Sequence, residues 1–327
     1  MKLLIILNYR PNQGGITGQI DELAKCLTNE GWKITMVSTH GNVWQRVQGI
    51  MKAIIYSFRC ERILGVGAAY LGFFPIIVAA IVANISFRKI VFNFHDGQAQ
   101  KFLREYLWLV RIVIGRNPVV CASAFVAQCF KEKGFAVLEI PNHFQFRENH
   151  PPWRSKFDWN NKIVWARSFK KLYQPEMALQ AASKALKQNR HLEFHFFGDG
   201  PLLKSLKSKY AQPGIIYHGF IPRERLLERY REYSIMINTT CFDNFPLSIV
   251  EAGFSQMCVL TTRIGGIATI YRNDEVLFFS DVEELVDKIL DIAKHPHEFD
   301  SFRNKLHKKV VDFTWTNVRE SWLRCLS

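Results

Sequence analysis

Apolar and polar positions alternate in a regular way along the first half of the chain. Short apolar runs at Leu3–Leu7, Lys33–Ser38, Ile63–Val66, Lys89–Phe94, Pro118–Cys121 and Ala136–Ile140 have the length and β-branched content of buried strands. Between them, apolar residues spaced by three and four predict helices over Gly15–Glu30, Trp44–Glu61, Phe73–Ile85, Gln98–Ile114 and Ala124–Lys133. Strands without a polar face, alternating with helices, predict a parallel sheet covered on both sides. The periodicity lapses between Phe146 and Asn161, where His150-Pro151-Pro152-Trp153 reads as a linker. It then restarts, with strands at Lys162–Ala166, Glu193–Phe197, Gly214–His218, Ile235–Asn238 and Cys258–Thr261. Helices are predicted over Pro175–Lys187, Leu202–Tyr210, Glu224–Tyr233, Leu247–Gln256 and Val282–His295. The fold class is therefore α/β, with two doubly wound, Rossmann-like domains. Ligands of such sheets sit beyond the carboxyl ends of the strands, so a shared central cleft is expected and site candidates should follow strands.

Composition narrows the class. A chain of 327 residues with 48% hydrophobic content can bury two cores, and disorder is excluded. The 7 cysteines are scattered and contain no C-x-x-C pair, so neither a disulfide frame nor a zinc ribbon is expected. Only five apolar residues, Leu3–Leu7, follow Met1-Lys2, too few for a secretory signal, and a cytoplasmic protein is expected. Ile63–Phe87 holds 25 residues without a charge and is long enough to span a membrane. Gly65, Gly67, Gly72, Pro75, Asn84 and Ser86 interrupt it, however, and a strand, a loop and a buried helix fit better. The net charge of +14, divided as +8 over residues 1–150 and +6 over the rest, suits nucleic acid, anionic lipid or phosphorylated small molecules. No nucleic-acid motif accompanies it, so nucleic acid is the weakest of these partners.

Candidate chemistry clusters after the strands. Asn12-Gln13-Gly14-Gly15 opens a helix, where close backbone approach and the helix N-terminus favour an anion, although paired glycines serve a turn as readily. It is not G-x-G-x-x-G, and Ser38-Thr39-His40 stands where a ribose-binding acid would follow the second strand, which disfavours a dinucleotide. Arg167, followed by Lys170 and Lys171, could neutralise a diphosphate, with Arg167 supplying a fixed two-pronged donor. Gly198-Asp199-Gly200-Pro201 and Gly265-Gly266-Ile267 are loops able to aim N–H groups at phosphate or base, or simple turns. In Asp243-Asn244-Phe245-Pro246-Leu247-Ser-Ile-Val-Glu251, Asn244 can cap a helix with Pro246 in its first turn, placing Glu251 within it. A Glu on so apolar a helix needs a partner, and a vicinal diol is one. Metal is not expected, since no D-x-D occurs and the His and Cys residues form no ligand cluster.

These residues together resemble glycosyltransferase family 4, the retaining GT-B enzymes that use nucleotide sugars. The resemblance runs over essentially the whole chain: Asn8-Tyr9-Arg10-Pro11, Gly14-Gly15, Phe94-His95, Ile140-Pro141-Asn142, Arg167, Gly198-x-Gly200, Asp243-x7-Glu251 and Gly265-Gly266. It implies a GT-B fold with an acceptor-side domain, 1–150, and a nucleotide-sugar domain, 151–312. A terminal helix within 313–327, Thr316–Leu326, is expected to pack back toward the first domain. By the same resemblance Glu251 would hold the donor ribose, Asp243 and His95 the transferred sugar, and Arg167 the diphosphate. Gly14, Gly15, Lys171, Gly198, Gly200, Gly265, Gly266 and the run Asn244, Phe245, Pro246, Leu247 would lie along the donor. Retention is usually described in this family as front-face attack, the departing phosphate taking the acceptor proton. The family's first Glu is replaced by Asp243, one methylene shorter, and its diphosphate Lys falls at Leu172.

The implied partners are a nucleotide sugar, with no other cofactor, and a glycan or lipid-linked glycan acceptor. Lys101, Arg104, Trp108 and Arg111 form a basic stripe on one predicted helix, as do Lys52, Tyr56, Arg59 and Arg62 on an earlier one. Such stripes can hold an anionic membrane surface or be ordinary solvated faces. Two functions follow: a metal-independent retaining transferase acting on lipopolysaccharide, capsule or exopolysaccharide, or a non-catalytic GT-B binding subunit of a glycan-assembly complex.

Overall fold

The computed structural model describes residues 1–9, 15–144 and 158–327. Gly14 and most of the linker segment lie outside the described residues. The chain divides into two compact units, Met1–Gln145 with Phe313–Ser327, and Phe146–Asp312.

In unit 1 the apolar runs become β1 (Lys2–Leu7), β2 (Lys33–Ser38), β3 (Arg62–Gly67), β4 (Lys89–Phe94), β5 (Val119–Cys121) and β6 (Val137–Glu139). They pair in parallel in the order β2-β1-β3-β4-β5-β6. The helices are α1 (Gly15–Asn29), α2 (Val43–Ser57), α3 (Phe74–Ser86), α4 (Ala99–Ile114) and α5 (Ala124–Lys131). Side chains alternate across each strand, so Leu4, Ile6, Ile63 and Phe92 face a core with Ile76, Phe102 and Phe130. Leu3, Ile5 and Leu64 face the other way, toward Ile20 and Leu23 of α1. Parallel crossovers are right-handed, and only β1 to β2 steps in the opposite direction. One crossover helix therefore covers that second face. The remainder is closed by the chain's last helix, Trp315–Leu326, whose Val318, Trp322 and Leu326 join the same core. Arg319 fastens it to Glu30 of the loop after α1 through two bonds of 2.5 and 2.6 Å. The uncharged stretch Ile63–Phe87 divides into β3, a 3-10 turn at Tyr70–Phe73 and the 13-residue α3. Among the described residues no helix is long and apolar enough to cross a membrane.

Unit 2 holds β7 (Lys162–Ala166), β8 (Glu193–Phe197), β9 (Ile215–Gly219), β10 (Ile235–Asn238), β11 (Cys258–Thr262) and β12 (Leu277–Phe279). Their parallel order is β12-β11-β10-β7-β8-β9. The helices are α6 (Pro175–Gln188), α7 (Leu203–Lys209), α8 (Arg223–Arg229), α9 (Leu247–Phe254), α10 (Ile267–Ile270), α11 (Val282–Lys294) and α12 (Asp300–Val311); the terminal helix is α13. β12, α10 and α12 are additions to the sequence reading. β12 and α10 are only 3 and 4 residues long, and α12 buries little beyond Arg303, Leu306 and Val310. From β7 the strand order runs one way to β8 and β9 and the other way to β10, so the topological switch point lies between β7 and β10. The crevice beyond their carboxyl ends is the default ligand position of such a sheet.

Candidate functional site

Both strands at the switch point deliver a polar residue to it. Arg167 follows β7, and its Nε donates to Oδ1 of Asn238, the last residue of β10, at 3.1 Å. Asn238 is itself fixed, its Nδ2 donating to Thr261 Oγ1 at 3.0 Å. The other end of the guanidinium meets Asp243, Nη2 to Oδ2 at 2.6 Å, and its Cζ lies 4.9 Å from the centroid of the Tyr173 ring. Burial works against the charge of Arg167, but Asp243 and then Tyr173 hold its pKa above the ordinary arginine value. A cation so held is fixed in place before any anion arrives.

Asp243 belongs to a loop drawn tight by its hydroxyls. Thr239 Oγ1 donates to the Tyr173 carbonyl at 2.8 Å, Thr240 Oγ1 to the Phe242 carbonyl at 2.9 Å, and Cys241 N to the Leu172 carbonyl at 2.8 Å. α9 starts later than an Asn244 cap would place it. Pro246 is the N-cap, at φ −75° and ψ 100°, and its carbonyl accepts Ile249 N at 3.0 Å. Phe245 and Pro246 are buried, while Asn244 and Leu247 are half-buried.

Glu251, 6% exposed, lies in the second turn of α9, and the partner its burial demands is a side chain that sequence reading missed. Arg223 Nε, at the first residue of α8, donates to Glu251 Oε1 at 2.6 Å. Arg223 follows β9 by four residues, so the strand-end rule could have found it, but Pro222-Arg223-Glu224-Arg225 reads as surface charge. Two tyrosines were missed for a different reason, that they look like core. Burial first, then the Glu251 charge, raises the Tyr230 pKa well above normal, and burial followed by Asp243 does so for Tyr271. Neither hydroxyl has a hydrogen-bond partner among the described residues. Each carboxylate thus bonds an arginine and raises the pKa of a buried phenol.

The glycine loops serve this arrangement by close approach. A Cβ on Gly198, at φ +127°, would overlap the Arg167 carbonyl, and one on Gly266 would overlap the Asn244 carbonyl. Their N–H groups are already engaged: Gly198 donates to the Gly219 carbonyl at 2.8 Å and Gly266 to that of Asp243 at 2.9 Å. Gly200 N donates to Asp199 Oδ1 at 2.7 Å. The phosphate-facing amides expected from the sequence are not free at these three positions. Gly265, at φ +48°, passes against the Asp243 carbonyl. Lys171 is exposed on a 3-10 turn with Leu172 and Tyr173.

Gly15 and His95 belong to unit 1. Gly15 is exposed at the first residue of α1. His95 follows β4, and its N–H donates to the Gly67 carbonyl at 2.9 Å. Burial pushes its imidazole down to about 4, and Nε2 has no partner among the described residues, so the ring is neutral and one nitrogen is uncommitted. Among the described residues no three His, Cys, Asp or Glu side chains are grouped as metal ligands.

Residues 160–295, which lie within unit 2, match the family model described as Glycosyl transferases group 1. The whole chain also superposes on HepE of Anabaena solved with UDP-glucose, at TM-score 0.78, 14% identity, and 100% and 99% coverage of the two chains. It superposes on the lipopolysaccharide outer core galactosyltransferase WaaB in its apo form at TM-score 0.69 and 10% identity, over 99% of each chain. In sequence it is 22% identical over 145 residues to the GPI3 subunit of phosphatidylinositol N-acetylglucosaminyltransferase from Saccharomyces cerevisiae. That match covers 41% of this chain and spans 31% of the relative's length. These likenesses bear out the GT-B fold that the sequence resemblance implied.

Proposed function

We propose that the chain is a retaining glycosyltransferase that moves a sugar from a UDP- or GDP-sugar to a cell-surface glycan acceptor carried on lipid, at the cytoplasmic face of a membrane. The observation that carries this reading is the double pair at the unit 2 switch point, Arg167 with Asp243 and Arg223 with Glu251, each at 2.6 Å. Glu251 keeps Oε2 for the ribose diol while Arg223 fixes the carboxylate from the other side. Arg167 neutralises the leaving diphosphate, a task that in a site without metal falls to a preorganised cation. The departing phosphate oxygen takes the proton of the acceptor hydroxyl as the new bond forms, so no side-chain nucleophile is needed. In unit 1, neutral His95 with its uncommitted ring nitrogen is suited to hydrogen-bond a sugar hydroxyl. The UDP-glucose bound by HepE and the outer-core reaction named for WaaB support donor and acceptor class respectively.

A second reading, a binding subunit with the same fold, draws on one observation: Asp243, already the shorter acid, is occupied by Arg167. The deciding experiment is a thermal-shift panel of UDP, GDP, ADP, CDP and NAD with EDTA present, on wild type and Glu251→Ala, followed by donor hydrolysis with the nucleotide sugar selected. Stabilisation by one nucleoside diphosphate, lost in the variant, together with turnover establishes the transferase. Stabilisation without turnover establishes the subunit, and stabilisation by NAD alone overturns both.

A further inference from the structure

A surface helix of a soluble domain turns its large apolar residues inward and its polar ones outward. α2 departs from this by being apolar on two sides. It meets its unit through Gly49, Ala53 and Ser57, spaced by four, with Ile50 and Ile54 half-buried against the core, and a Cβ on Gly49 would overlap the Ser38 carbonyl. On its other side Trp44, Val47, Met51 and Ile55, with Phe58 just beyond, follow one another by three and four residues and are 46–77% exposed.

The ridge continues across the layer. α2 packs beside α3 and α3 beside α4. α3 leaves Ile81 and Ile85 about half exposed, and α4 leaves Trp108 and Ile112 at 64% and 74%. α3 ends on Phe87, which is 94% exposed and held at φ +54°. That is the left-handed position glycine normally fills, so an aromatic there is strained and covers nothing. Charge surrounds this apolar band. Arg46, Lys52, Arg59, Lys101, Arg104, Arg111 and Arg116 are exposed, and within α2, α3 and α4 the sequence holds one acid, Glu105. Arg88 bridges the ends of α2 and α3 by donating to the Ser57 and Phe58 carbonyls at 3.3 and 3.2 Å.

From this juxtaposition we infer that the outer face of α2, α3 and α4 docks on an anionic lipid bilayer, with the apolar ridge entering the headgroup boundary and the basic residues meeting lipid phosphates. Charge complementarity selects the occupant: a band of Trp, Ile, Met and Phe rimmed by cations matches an interface whose anionic headgroups overlie acyl chains. Of the two basic stripes legible in the sequence, Lys52, Arg59, Lys101, Arg104 and Arg111 are in the rim, and the apolar residues between them supply the anchor. α2 ends at Ser57, and Arg62, expected on the same helix, instead opens β3 and donates to the Leu326 and Ser327 carbonyls. The inference extends the lipid-linked acceptor of the reading above to a surface, but vesicle binding requires no turnover and is measured apart from it.

The test is co-sedimentation of the full chain with phosphatidylcholine vesicles containing or lacking phosphatidylglycerol, with the UDP-induced thermal shift measured on the same samples. Wild type pellets with the phosphatidylglycerol vesicles and is released as salt screens the charges. Met51→Glu with Ile55→Glu lowers binding by about tenfold or more, and the unfolding midpoint and UDP shift remain. Arg104→Glu with Arg111→Glu removes the preference for anionic vesicles. Absence of wild-type binding at low salt, or binding unchanged in Met51→Glu with Ile55→Glu, overturns the proposal. So does a wild-type dimer in sedimentation velocity that Met51→Glu dissolves, since a second copy then covers the face. A wild type that binds vesicles yet shows no UDP shift leaves the surface standing and removes UDP as the donor nucleotide.

Discussion

Asp243 and Glu251 are both acids held by an arginine at 2.6 Å, yet their removal should be felt differently. Glu251→Gln keeps the shape and loses the charge that accepts from a diol. Hydrogen bonds to charged groups contribute about 1.5–3 kcal/mol, so the nucleotide Kd should rise roughly ten- to a hundredfold. An unchanged Kd in the folded variant, measured by calorimetric titration, would remove the ribose assignment. Asp243→Asn should lower kcat far more than nucleotide affinity, and a parallel fall of both would refute its role against the sugar. Arg223→Ala leaves a buried carboxylate unpaired. Its expected cost is about 1–3 kcal/mol of unit 2 stability, read as a lower unfolding midpoint, together with weaker nucleotide binding that Arg223→Lys restores in part. Of these residues Arg167 and Asp243 were legible in the sequence because each follows a strand, and Glu251 because an acid on so apolar a helix needs a partner. Arg223, Tyr230 and Tyr271 were not, because pairing across α8, α9 and β10 is a tertiary fact and a tyrosine inside an apolar run looks like packing.

At the scale of elements, long runs with a clear period, such as α3, α6 and α11, sit within a residue or two of their expected limits. Elements were missed where local signal is weak: the three-residue β12 is held by pairing with β11, and α12 is held by α9 through His307 Nδ1 and the Gly253 carbonyl at 3.0 Å. The contribution of α13 is likewise tertiary. Trp322 is 3% exposed in the core it shares with α1. Trp322→Ala should cost about 3–5 kcal/mol and lower the unit 1 transition by roughly 10 °C. The unit 2 transition should stay in place, and scanning calorimetry showing both moving together would contradict the separate cores.

Across the whole molecule the buried imidazoles set an acid limit. Burial lowers His95 and His143 of unit 1 and His218 of unit 2 to about 4 each, His218 also through Arg229. Unfolded histidine titrates near 6.5, so between pH 6.5 and 4 the unfolded chain binds more protons than the folded one. Their stabilisation is complete above about pH 6.5 and is lost as pH falls toward 4. The unfolding midpoint should therefore drop steeply through that window and stay nearly level from pH 7 to 8. His143→Phe, which keeps a ring beside Trp315, should flatten the slope for unit 1. A slope unchanged in that variant would assign the acid sensitivity elsewhere.

The return of α13 also imposes an order in time. A ribosome completes every residue of unit 2 before it releases Phe313–Ser327, the last piece of unit 1. Until then, among the described residues, α1 is the one helix over the side of the first sheet carrying Leu3, Ile5 and Leu64. The amino-terminal half of the chain, first to be made, is thus the last to be closed.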